Sequence, residues 1–452
     1  MAKAKRSFRC QECDHRSTKW MGRCSNCGTW NSLTEEVESA ASAAAAKAIP
    51  TTAVRLADVP MNQSGEARIR TGIGELDMVL GGGLVAGSLV LLGGDPGIGK
   101  STLLLAALDG FSRQGVRVLY ASGEESLQQV RMRADRLGVN GDHLWLAAET
   151  DFSRIEAAIR TEKPRVAVID SVQTVSVPEV TSIPGSVSQV REVAHRAMKL
   201  AKGTGIATLL VGHVTKSGEL AGPKVLEHLV DTVLQFEGDE SSGLRILRAI
   251  KNRFGAAGEL GLFEMSDTGL KEVPDASARL LEERAQGAAG TAVLAAMEGS
   301  RPLLAEIQAL VGHPGPQIPA RTCVGVDRAR VLMLVAVLQK AGLPLHDRDI
   351  FVNAAGGLRP IEPAADLGIL AAIASSLMDR PLPQGVALFG EVGLVGEVRA
   401  TSHSAARLRE ASRHGFRRAI APARAVDQAP EGVGVVGVRS VLEVLGELSE
   451  DT

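Results

Sequence analysis

The sequence lacks three features that would each place it in a special class of protein. No run of apolar residues is long enough to cross a bilayer, and the first ten residues, MAKAKRSFRC, lack the apolar core of a secretory signal. The 452 residues carry a net charge of only −2, which excludes a uniformly basic coat for nucleic acid. The five cysteines, four of them between Cys10 and Cys27, do not resemble a secreted disulfide framework. We therefore expect a cytoplasmic protein with no membrane contact, in which any contact to DNA or RNA is local.

Two CxxC pairs near the start of the chain predict a metal site. Cys10 and Cys13 form the first pair. Cys24 and Cys27 form the second pair, after ten intervening residues. Four thiolates at this spacing can converge on one tetrahedral Zn²⁺ ion, and pairing of the cysteines in disulfides is the alternative. Residues 1–30 carry seven Lys or Arg against two acids, so this module is also locally basic.

Three aromatic residues, Phe8, Trp20 and Trp30, lie among the charges of this module. We expect them to form its small core, because so short a module has few other apolar side chains. Stacking on nucleic-acid bases is the alternative use of the rings. From residue 35 to residue 66 the sequence turns to Ala, Ser and Glu, which indicates a linker.

A phosphate-binding loop follows, and the rest of the chain is organised around it. The segment GGDPGIGKST, residues 93–102, lies between an apolar run at 89–92 and another at 103–108. This strand–loop–helix order and the pattern G-x-x-x-x-G-K-[ST] predict a site for ATP or ADP, cradled by backbone N–H groups. Lys100 would reach the β- and γ-phosphates, and the Ser101 hydroxyl would ligate Mg²⁺. The predicted cofactor-binding residues of the loop are Gly94, Asp95, Pro96, Gly97, Ile98, Gly99, Lys100, Ser101 and Thr102.

Strands that alternate with helical segments follow the loop and predict a parallel sheet covered on both faces. Functional groups in such sheets gather at the carboxyl ends of the strands. Asp170 ends one apolar run and is the expected Mg²⁺ ligand, directly or through water. Glu124 follows another strand and is the first candidate to orient or deprotonate the attacking water, with Glu125 second. The alternative is that these acids only cap the helices that follow.

Two loops near this site carry many polar residues and glycines. They span residues 172–185 and 218–224. Both are candidates to line a central pore, and the alternative is that both are solvent-exposed connectors.

The order of these motifs resembles the bacterial RadA (Sms) family, which are RecA-related ATPases of DNA repair. The matching segments are CxxC…CxxC, GGDPGIGKST, SGEES, VAVIDSVQT, GHVTKSGELAGPKVLEHLVDTVL and KNRFG, followed by a region of the Lon-protease type. The resemblance implies an α/β fold with a RecA-like P-loop ATPase core, a small N-terminal zinc ribbon and a C-terminal α/β Lon-protease-like domain. It also implies a homo-hexamer that binds single-stranded and branched DNA, acts with a RecA filament, hydrolyses ATP at subunit interfaces and drives branch migration like a DnaB-type helicase. In that family the Lys and Arg of KNRFG, here Lys251 and Arg253, couple the neighbouring subunit's nucleotide to DNA.

The resemblance also sets the expected domains and the expected chemistry of the last one. The implied domains are a zinc ribbon at 1–34, a linker at 35–66, an ATPase domain at 67–275, a second linker at 276–289 and a Lon-like domain at 290–452. Lon-type proteases use a Ser–Lys pair as nucleophile and base. Alignment places Ala365 and Ala405 at those two positions, so we expect no protease activity. A charged, solvated helix face is expected for the arginines of this region, with DNA contact as the alternative; these are Arg399, Arg407, Arg409 and Arg413.

Two other functions compete with a DNA-stimulated motor. An ATP-dependent protease is suggested by the Lon-type region, but the missing Ser and Lys argue against it. A scaffold or signalling ATPase of the KaiC type shares the paired glutamates after the second strand. Such proteins lack a zinc ribbon and a Lon-like domain.

Overall fold

The computed structural model describes residues 6–10, 15–30, 32–37, 55, 68–212, 225–238, 244–313, 319–360 and 362–449. These residues belong to two compact units, Met1–Gly65 and Glu66–Thr452. None of the helices within the described ranges is both long and apolar enough to cross a membrane.

The first unit contains a small antiparallel sheet of three strands. The strands are β1 (Arg6–Cys10), β2 (Arg16–Ser17) and β3 (Leu33–Val37), in the order β2-β1-β3. Cys10, Cys24 and Leu33 form a buried cluster, and Phe8 packs against it. Phe8 therefore takes the core position that the sequence predicts.

The two tryptophans of this unit lie outside that cluster. The side chains of Trp20 and Trp30 are 58% and 69% exposed. The prediction that they form the core of the module is therefore wrong. The rings stay exposed because the described core is small: a cluster of two cysteines, one leucine and one phenylalanine cannot enclose two indole rings.

The second unit is built on two sheets, and the larger one has nine strands. Six of its strands are parallel: β4 (Leu89–Gly94), β5 (Val118–Ser122), β6 (Leu144–Ala148), β7 (Val166–Asp170), β8 (Ala207–Val211) and β9 (Thr232–Gly238). Three antiparallel strands extend it: β10 (Leu244–Asn252), β11 (Leu260–Ser266) and β12 (Gly269–Glu272). The order is β12-β11-β10-β9-β4-β8-β7-β5-β6, so β4 lies at its centre.

Helices cover both faces of this sheet. They are α1 (Gly74–Val79), α2 (Lys100–Arg113), α3 (Leu127–Arg136), α4 (Phe152–Glu162), α5 (Val187–Thr204) and α6 (Val225–Leu229). Val90 and Leu92 pack in one core with α1, α2 and α3. Leu89 and Leu91 pack in a second core with α4, α5 and α6. Alternate residues of β4 therefore serve opposite cores, which confirms the predicted parallel sheet with two covered faces.

The smaller sheet is mixed and has seven strands. They are β13 (Thr291–Glu298), β14 (Arg301–Val311), β15 (Arg321–Val324), β16 (Ile350–Ala354), β17 (Val386–Leu388), β20 (Arg418–Pro422) and β21 (Gly434–Val438), in the order β15-β16-β14-β13-β17-β20-β21. A short hairpin, β18 (Glu391–Val392) and β19 (Val398–Arg399), lies beside it. The helices of this region are α7 (Ala276–Leu281), α8 (Arg328–Lys340), α9 (Asp366–Met378), α10 (Ser404–Arg413) and α11 (Val441–Ser449).

Residues 276–289, predicted as a linker, begin with the packed helix α7. Its Leu280 lies in one apolar cluster with Leu244 of the large sheet and Leu303 of the small sheet. The two sheets are also joined by an ion pair of 2.5 Å between Arg248 and Glu298. The start of this segment is therefore part of the folded core rather than a spacer.

Candidate active site and metal centre

The phosphate loop joins the carboxyl end of β4 to the first turn of α2. Gly94 ends the strand, where a Cβ would lie 2.5 Å from the carbonyl oxygen of Phe236, so only glycine fits. Gly99 precedes the helix with a φ of +115°, a left-handed conformation that also favours glycine. No side chain caps the N-terminus of α2. The first N–H groups of the helix are therefore available to an anion held by the loop.

Lys100 is the first residue of α2 and folds back over the loop. Its Nζ donates to the carbonyl oxygens of Gly94 at 2.7 Å and Asp95 at 2.8 Å. The side chain is buried, and burial lowers the pKa of Lys100 although the carboxylates of Asp170, Glu124 and Asp95 oppose that shift. The ammonium group is thus held inside the loop, close to where phosphate oxygens would bind.

Asp170 lies at the carboxyl end of β7, on the same edge of the sheet. Its Oδ2 accepts a hydrogen bond of 2.7 Å from the Ser101 hydroxyl and one of 2.5 Å from the Tyr120 hydroxyl. The two predicted Mg²⁺ ligands are therefore neighbours, and their oxygens suit a hard cation. Burial, and then the charge of Asp170, raise the pKa of Tyr120, so this phenol stays a donor.

Tyr120 is a site residue that sequence reasoning missed. It is the one tyrosine in the chain. Its hydroxyl is the only polar side-chain group among the first three residues of the buried strand β5, Val118, Leu119 and Tyr120. A buried phenol needs a hydrogen-bond partner, and this was the signal that something polar faces β5.

The paired glutamates after β5 have different partners. Glu124 Oε1 accepts a hydrogen bond of 2.5 Å from the hydroxyl of Ser171, the residue after Asp170. The negative charge of Glu124 opposes the lowering of the Lys100 pKa by burial. Glu125 instead forms an ion pair with Arg133 of α3. Glu124 thus faces the phosphate loop, whereas Glu125 is engaged by the helix beside it. Ser171 is a second site residue that sequence reasoning missed.

Neither Glu124 nor Asp170 caps the helix that follows it. Ser126 is the N-cap of α3 and forms a capping box with Gln129. Ser186 is the N-cap residue of α5. The alternative role that the sequence left open for these acids therefore does not apply.

The first of the two polar loops is anchored on α5. The buried side chain of Gln189 accepts from the Val177 amide at 2.9 Å and donates to the carbonyls of Val180 and Ser182, each at 2.9 Å. Ile183, near its tip, is 77% exposed. The second loop, 218–224, lies outside the described residues.

Lys251 and Arg253 lie at the other end of the strands of the large sheet from the phosphate loop. Arg253 Nη1 is 3.3 Å from Oδ1 of the buried Asp231. Asp231 in turn accepts from the amide of Leu89, the first residue of β4, at 3.0 Å. Gly94 ends the same strand, and five steps of about 3.3 Å separate the two ends by roughly 16 Å. The structure therefore does not bring Arg253 to the nucleotide site of its own chain.

The Lys251 ammonium caps the end of α6. Its Nζ donates to the carbonyl oxygens of Glu227 at 2.6 Å and Val230 at 2.8 Å. Burial, and then the neighbouring charge of Arg253, lower the pKa of Lys251. Two cations thus lie side by side at this edge.

Three of the four predicted metal ligands converge in the first unit. The sulfur atoms of Cys10, Cys24 and Cys27 all lie within 4.8 Å of one another. Cys10 and Cys27 have sulfurs 3.5 Å apart, well beyond the length of a disulfide bond, about 2.05 Å. Tetrahedral thiolates at about 2.3 Å from a metal would stand roughly 3.8 Å apart, so the cluster fits such an ion. Cys13 lies outside the described residues.

The second α/β domain, for which the sequence predicts a Lon-like fold, has alanine at both positions aligned with the nucleophile and the base. Ala365 is buried at the start of α9, and Ala405 lies in the first turn of α10. The nearby Ser375 and Ser376 accept from the backbone amides of Gly290 and Val311. Both hydroxyls thus bind the chain itself.

Arg407 corrects the prediction of a solvated face on α10. Its side chain is fully buried, and its guanidinium donates to both carboxylate oxygens of Glu362, at 2.7 and 2.5 Å. It also donates to the carbonyl oxygen of Ala295 at 2.7 Å. The sequence pattern misled here because the partner carboxylate lies in a distant part of the chain. Arg409 and Arg413 of the same helix are exposed.

The fold and these sites define an α/β P-loop ATPase that carries a metal-binding ribbon and a second α/β domain. The AAA domain model matches residues 52–219, and the rubredoxin metal binding domain model matches residues 8–35. The chain is 49% identical to DNA repair protein RadA of Bacillus subtilis over 452 residues, 98% of this chain and 99% of that protein. It is 49% identical to DNA repair protein RadA of Pseudomonas aeruginosa over the full length of both. DNA repair protein RadA of Streptococcus pyogenes is 48% identical, with 98% of this chain covered and 99% of that protein. The chain belongs to the RadA family of DNA repair proteins.

Proposed function

We propose that the chain is a DNA-stimulated ATPase of recombinational repair. In this proposal it binds single-stranded and branched DNA, works beside a RecA filament in the cytoplasm, and promotes branch migration as a hexameric, DnaB-type helicase. The observation that carries the proposal is the separation of Lys251 and Arg253 from the phosphate loop of their own chain. Half of a nucleotide site lies at each edge of one sheet, which is the arrangement that a ring of identical subunits completes.

The residues at the carboxyl edge supply the hydrolytic half. Lys100 and the N–H groups of the loop would bind the β- and γ-phosphates. Ser101 and Asp170 would hold Mg²⁺, which neutralises charge on the phosphates. Glu124 would orient the attacking water and accept its proton, while Ser171 fixes the carboxylate by donating to it. Tyr120 would hold Asp170 in place from the other side.

The cations at the amino edge supply the second half. The side chain of Arg253 is 57% exposed and pairs with Asp231 only at 3.3 Å, so it can reach a neighbouring subunit. A cation placed in trans stabilises the charge of phosphoryl transfer and is worth about 10³–10⁵ in rate in GTPases. We assign this role to Arg253, with Lys251 beside it.

The ribbon would bind one Zn²⁺ through Cys10, Cys13, Cys24 and Cys27. Two observations support this assignment: three of the sulfurs converge, and the backbone amide of Asn26 donates a hydrogen bond to Cys24 Sγ at 3.4 Å. Zn²⁺ would hold the module together, because its apolar cluster is small.

Hydrolysis in the presence and absence of single-stranded DNA tests the proposal. ATP turnover should rise on addition of an oligonucleotide, and the Lys100→Ala protein should turn over no ATP in either condition. A mobile-junction substrate should be moved only by the protein that hydrolyses ATP. Turnover indifferent to DNA would contradict the motor and favour a scaffold ATPase of the KaiC type.

Subunit mixing tests the role in trans. Lys100→Ala and Arg253→Ala proteins, each inactive alone, should partly regain turnover when they are mixed under conditions of subunit exchange. Some mixed interfaces then pair an intact loop with an intact Arg253. A fluorescent label on each variant monitors the exchange of subunits. If subunits exchange and turnover does not recover, Arg253 does not act on the neighbouring nucleotide.

A further inference from the structure

The ribbon displays two tryptophan rings side by side on its surface. Trp20 and Trp30 are 58% and 69% exposed, and the adjacent Met21 is 36% exposed. A Cβ at Gly22 would lie 3.7 Å from the Trp30 ring and 3.9 Å from the Trp20 ring, so both rings approach this one glycine. Exposure of two large indoles in one small module costs solvation free energy, and such a patch marks a binding surface.

Local contacts order Trp30 and the backbone that precedes Trp20. Arg23 forms a β-bridge with Trp30, and its guanidinium lies 5.8 Å from the centroid of that ring. Arg23 Nε also donates to the carbonyl oxygen of Gly28 at 2.7 Å. Beside Trp20, the hydroxyl of Ser17 donates to the carbonyl of Lys19 at 2.8 Å and accepts from its amide at 3.2 Å. Trp30 and the turn before Trp20 are therefore ordered before binding, which lowers the entropic cost of binding.

The charges around the rings select the partner. Residues 15–30 contain Arg16, Lys19 and Arg23 and no acidic residue. Indole faces stack on bases of any sequence, and cations between them neutralise backbone phosphates. Bases of a duplex are already stacked and offer no free face. An unpaired strand therefore fits both the rings and the charges.

We propose that Trp20 and Trp30 form a base-stacking platform for single-stranded DNA, with Lys19 and Arg23 contacting its phosphates. The platform rests on the proposed binding of single-stranded DNA but not on the proposed hydrolysis. Neither ring belongs to the residues of the nucleotide site, so replacing the rings should leave ATP turnover without DNA unchanged.

Tryptophan fluorescence offers a direct measurement, because the chain has three tryptophans and only Trp145 lies outside the ribbon. In Trp145→Phe protein with its metal bound, an oligo(dT) strand should quench the emission. An abasic strand of equal length and charge should bind more weakly and quench little. Trp20→Ala and Trp30→Ala should each weaken oligo(dT) affinity roughly 5- to 100-fold, with Met21→Ala as the matched control. Lys19→Ala should reduce the slope of log affinity against log salt by about 0.7.

Metal content, measured on every variant, separates a loss of stacking from a loss of folding. The variants Trp20→Phe and Trp30→Phe keep an aromatic face and should retain most of the affinity for oligo(dT). The platform would be overturned if the double variant Trp20→Ala, Trp30→Ala bound oligo(dT) as tightly as the wild-type protein and if oligo(dT) did not quench the Trp145→Phe protein. The rings would then be assigned to a protein partner. In that case the proposed DNA-stimulated ATPase would stand. Failure of the wild-type protein to bind oligo(dT) would contradict both proposals.

Discussion

Replacing Glu124 by Gln should slow hydrolysis strongly while ATP still binds. The substitution keeps the size of the side chain and removes its ability to accept a proton. A positioned general base contributes about 10²–10⁴ in rate, so turnover should fall by that factor. ATP affinity should change little, because Lys100 and the loop N–H groups carry the phosphate contacts.

The neighbouring contacts set the expected size of two companion effects. Ser171→Ala removes one hydrogen bond to the Glu124 carboxylate, worth about 1.5–3 kcal/mol for a charged acceptor. If half of that free energy serves orientation in the transition state, turnover falls roughly fivefold. Glu125→Gln breaks an ion pair with Arg133 in which both side chains are about one quarter exposed. Gln can still accept a hydrogen bond from Arg133, so this variant should keep near-wild-type turnover.

The assay is single-turnover hydrolysis at saturating ATP and DNA, with binding of a fluorescent nucleotide followed in parallel. The expected order of rates is wild type, Glu125→Gln, Ser171→Ala and then Glu124→Gln. A large loss in Glu125→Gln with near-normal Glu124→Gln would refute the assignment. Loss of nucleotide binding in Glu124→Gln would refute it as well, since the residue would then act in the ground state.

Because burial lowers the pKa of Lys100 and phosphates favour its charged form, ATP binding at alkaline pH should take up a proton. Calorimetry in two buffers of different ionisation enthalpy should detect this uptake, and it should vanish in Lys100→Arg, which stays charged. Metal analysis should find about one Zn²⁺ per chain, lost in Cys10→Ser and kept in Cys323→Ser; equal content in both variants would contradict the site. Arg407→Leu leaves the Glu362 carboxylate without its buried partner. The free energy of opening of the small sheet, measured by hydrogen exchange, should fall by about 3 kcal/mol. The control Arg413→Leu, at an exposed position, should lower it by less than about 1 kcal/mol. Purified protein should cleave no casein, and cleavage that survives stringent purification would restore the protease hypothesis.

The sequence was sufficient for those parts of the site that depend on local pattern. The loop between β4 and α2 is contiguous, so its glycines, Lys100 and Ser101 could be assigned from spacing alone. Asp170 and Glu124 could be placed beside the loop because parallel strands share one carboxyl edge. Both expectations require only the order of strands and helices along the chain.

Contacts that depend on strand neighbours were not accessible from the sequence. The Tyr120 hydroxyl reaches Asp170 because β5 pairs with β7 in a register that sets Ser122 opposite Asp170. That pairing joins strands whose order in the sheet differs from their order in the chain. The Ser171 contact to Glu124 depends on the same pairing.

Burial of single side chains was the second limit. Arg407 occupies a helix rich in arginine, and its identity alone does not distinguish it from the exposed Arg409. Only the fold brings Glu362 beneath it. Trp20 and Trp30 present the opposite case, because apolar residues are usually enclosed and these two are displayed. In both cases the burial of the side chain departs from the usual preference of its residue type.

The rigidity of β4 explains why Arg253 does not reach the phosphate loop of its own chain. All six residues of the strand are buried, and both of its faces pack in separate cores. Its first residue exchanges two hydrogen bonds with Asp231, which also binds Arg253 and Lys202. Moving Arg253 to the loop of the same chain would require breaking these bonds and crossing a packed sheet. A second subunit needs no such rearrangement, because it can present its amino edge to the carboxyl edge of the first. If Arg253 acts in hydrolysis, as proposed, the geometry of this strand requires it to act on the nucleotide of another copy of the chain.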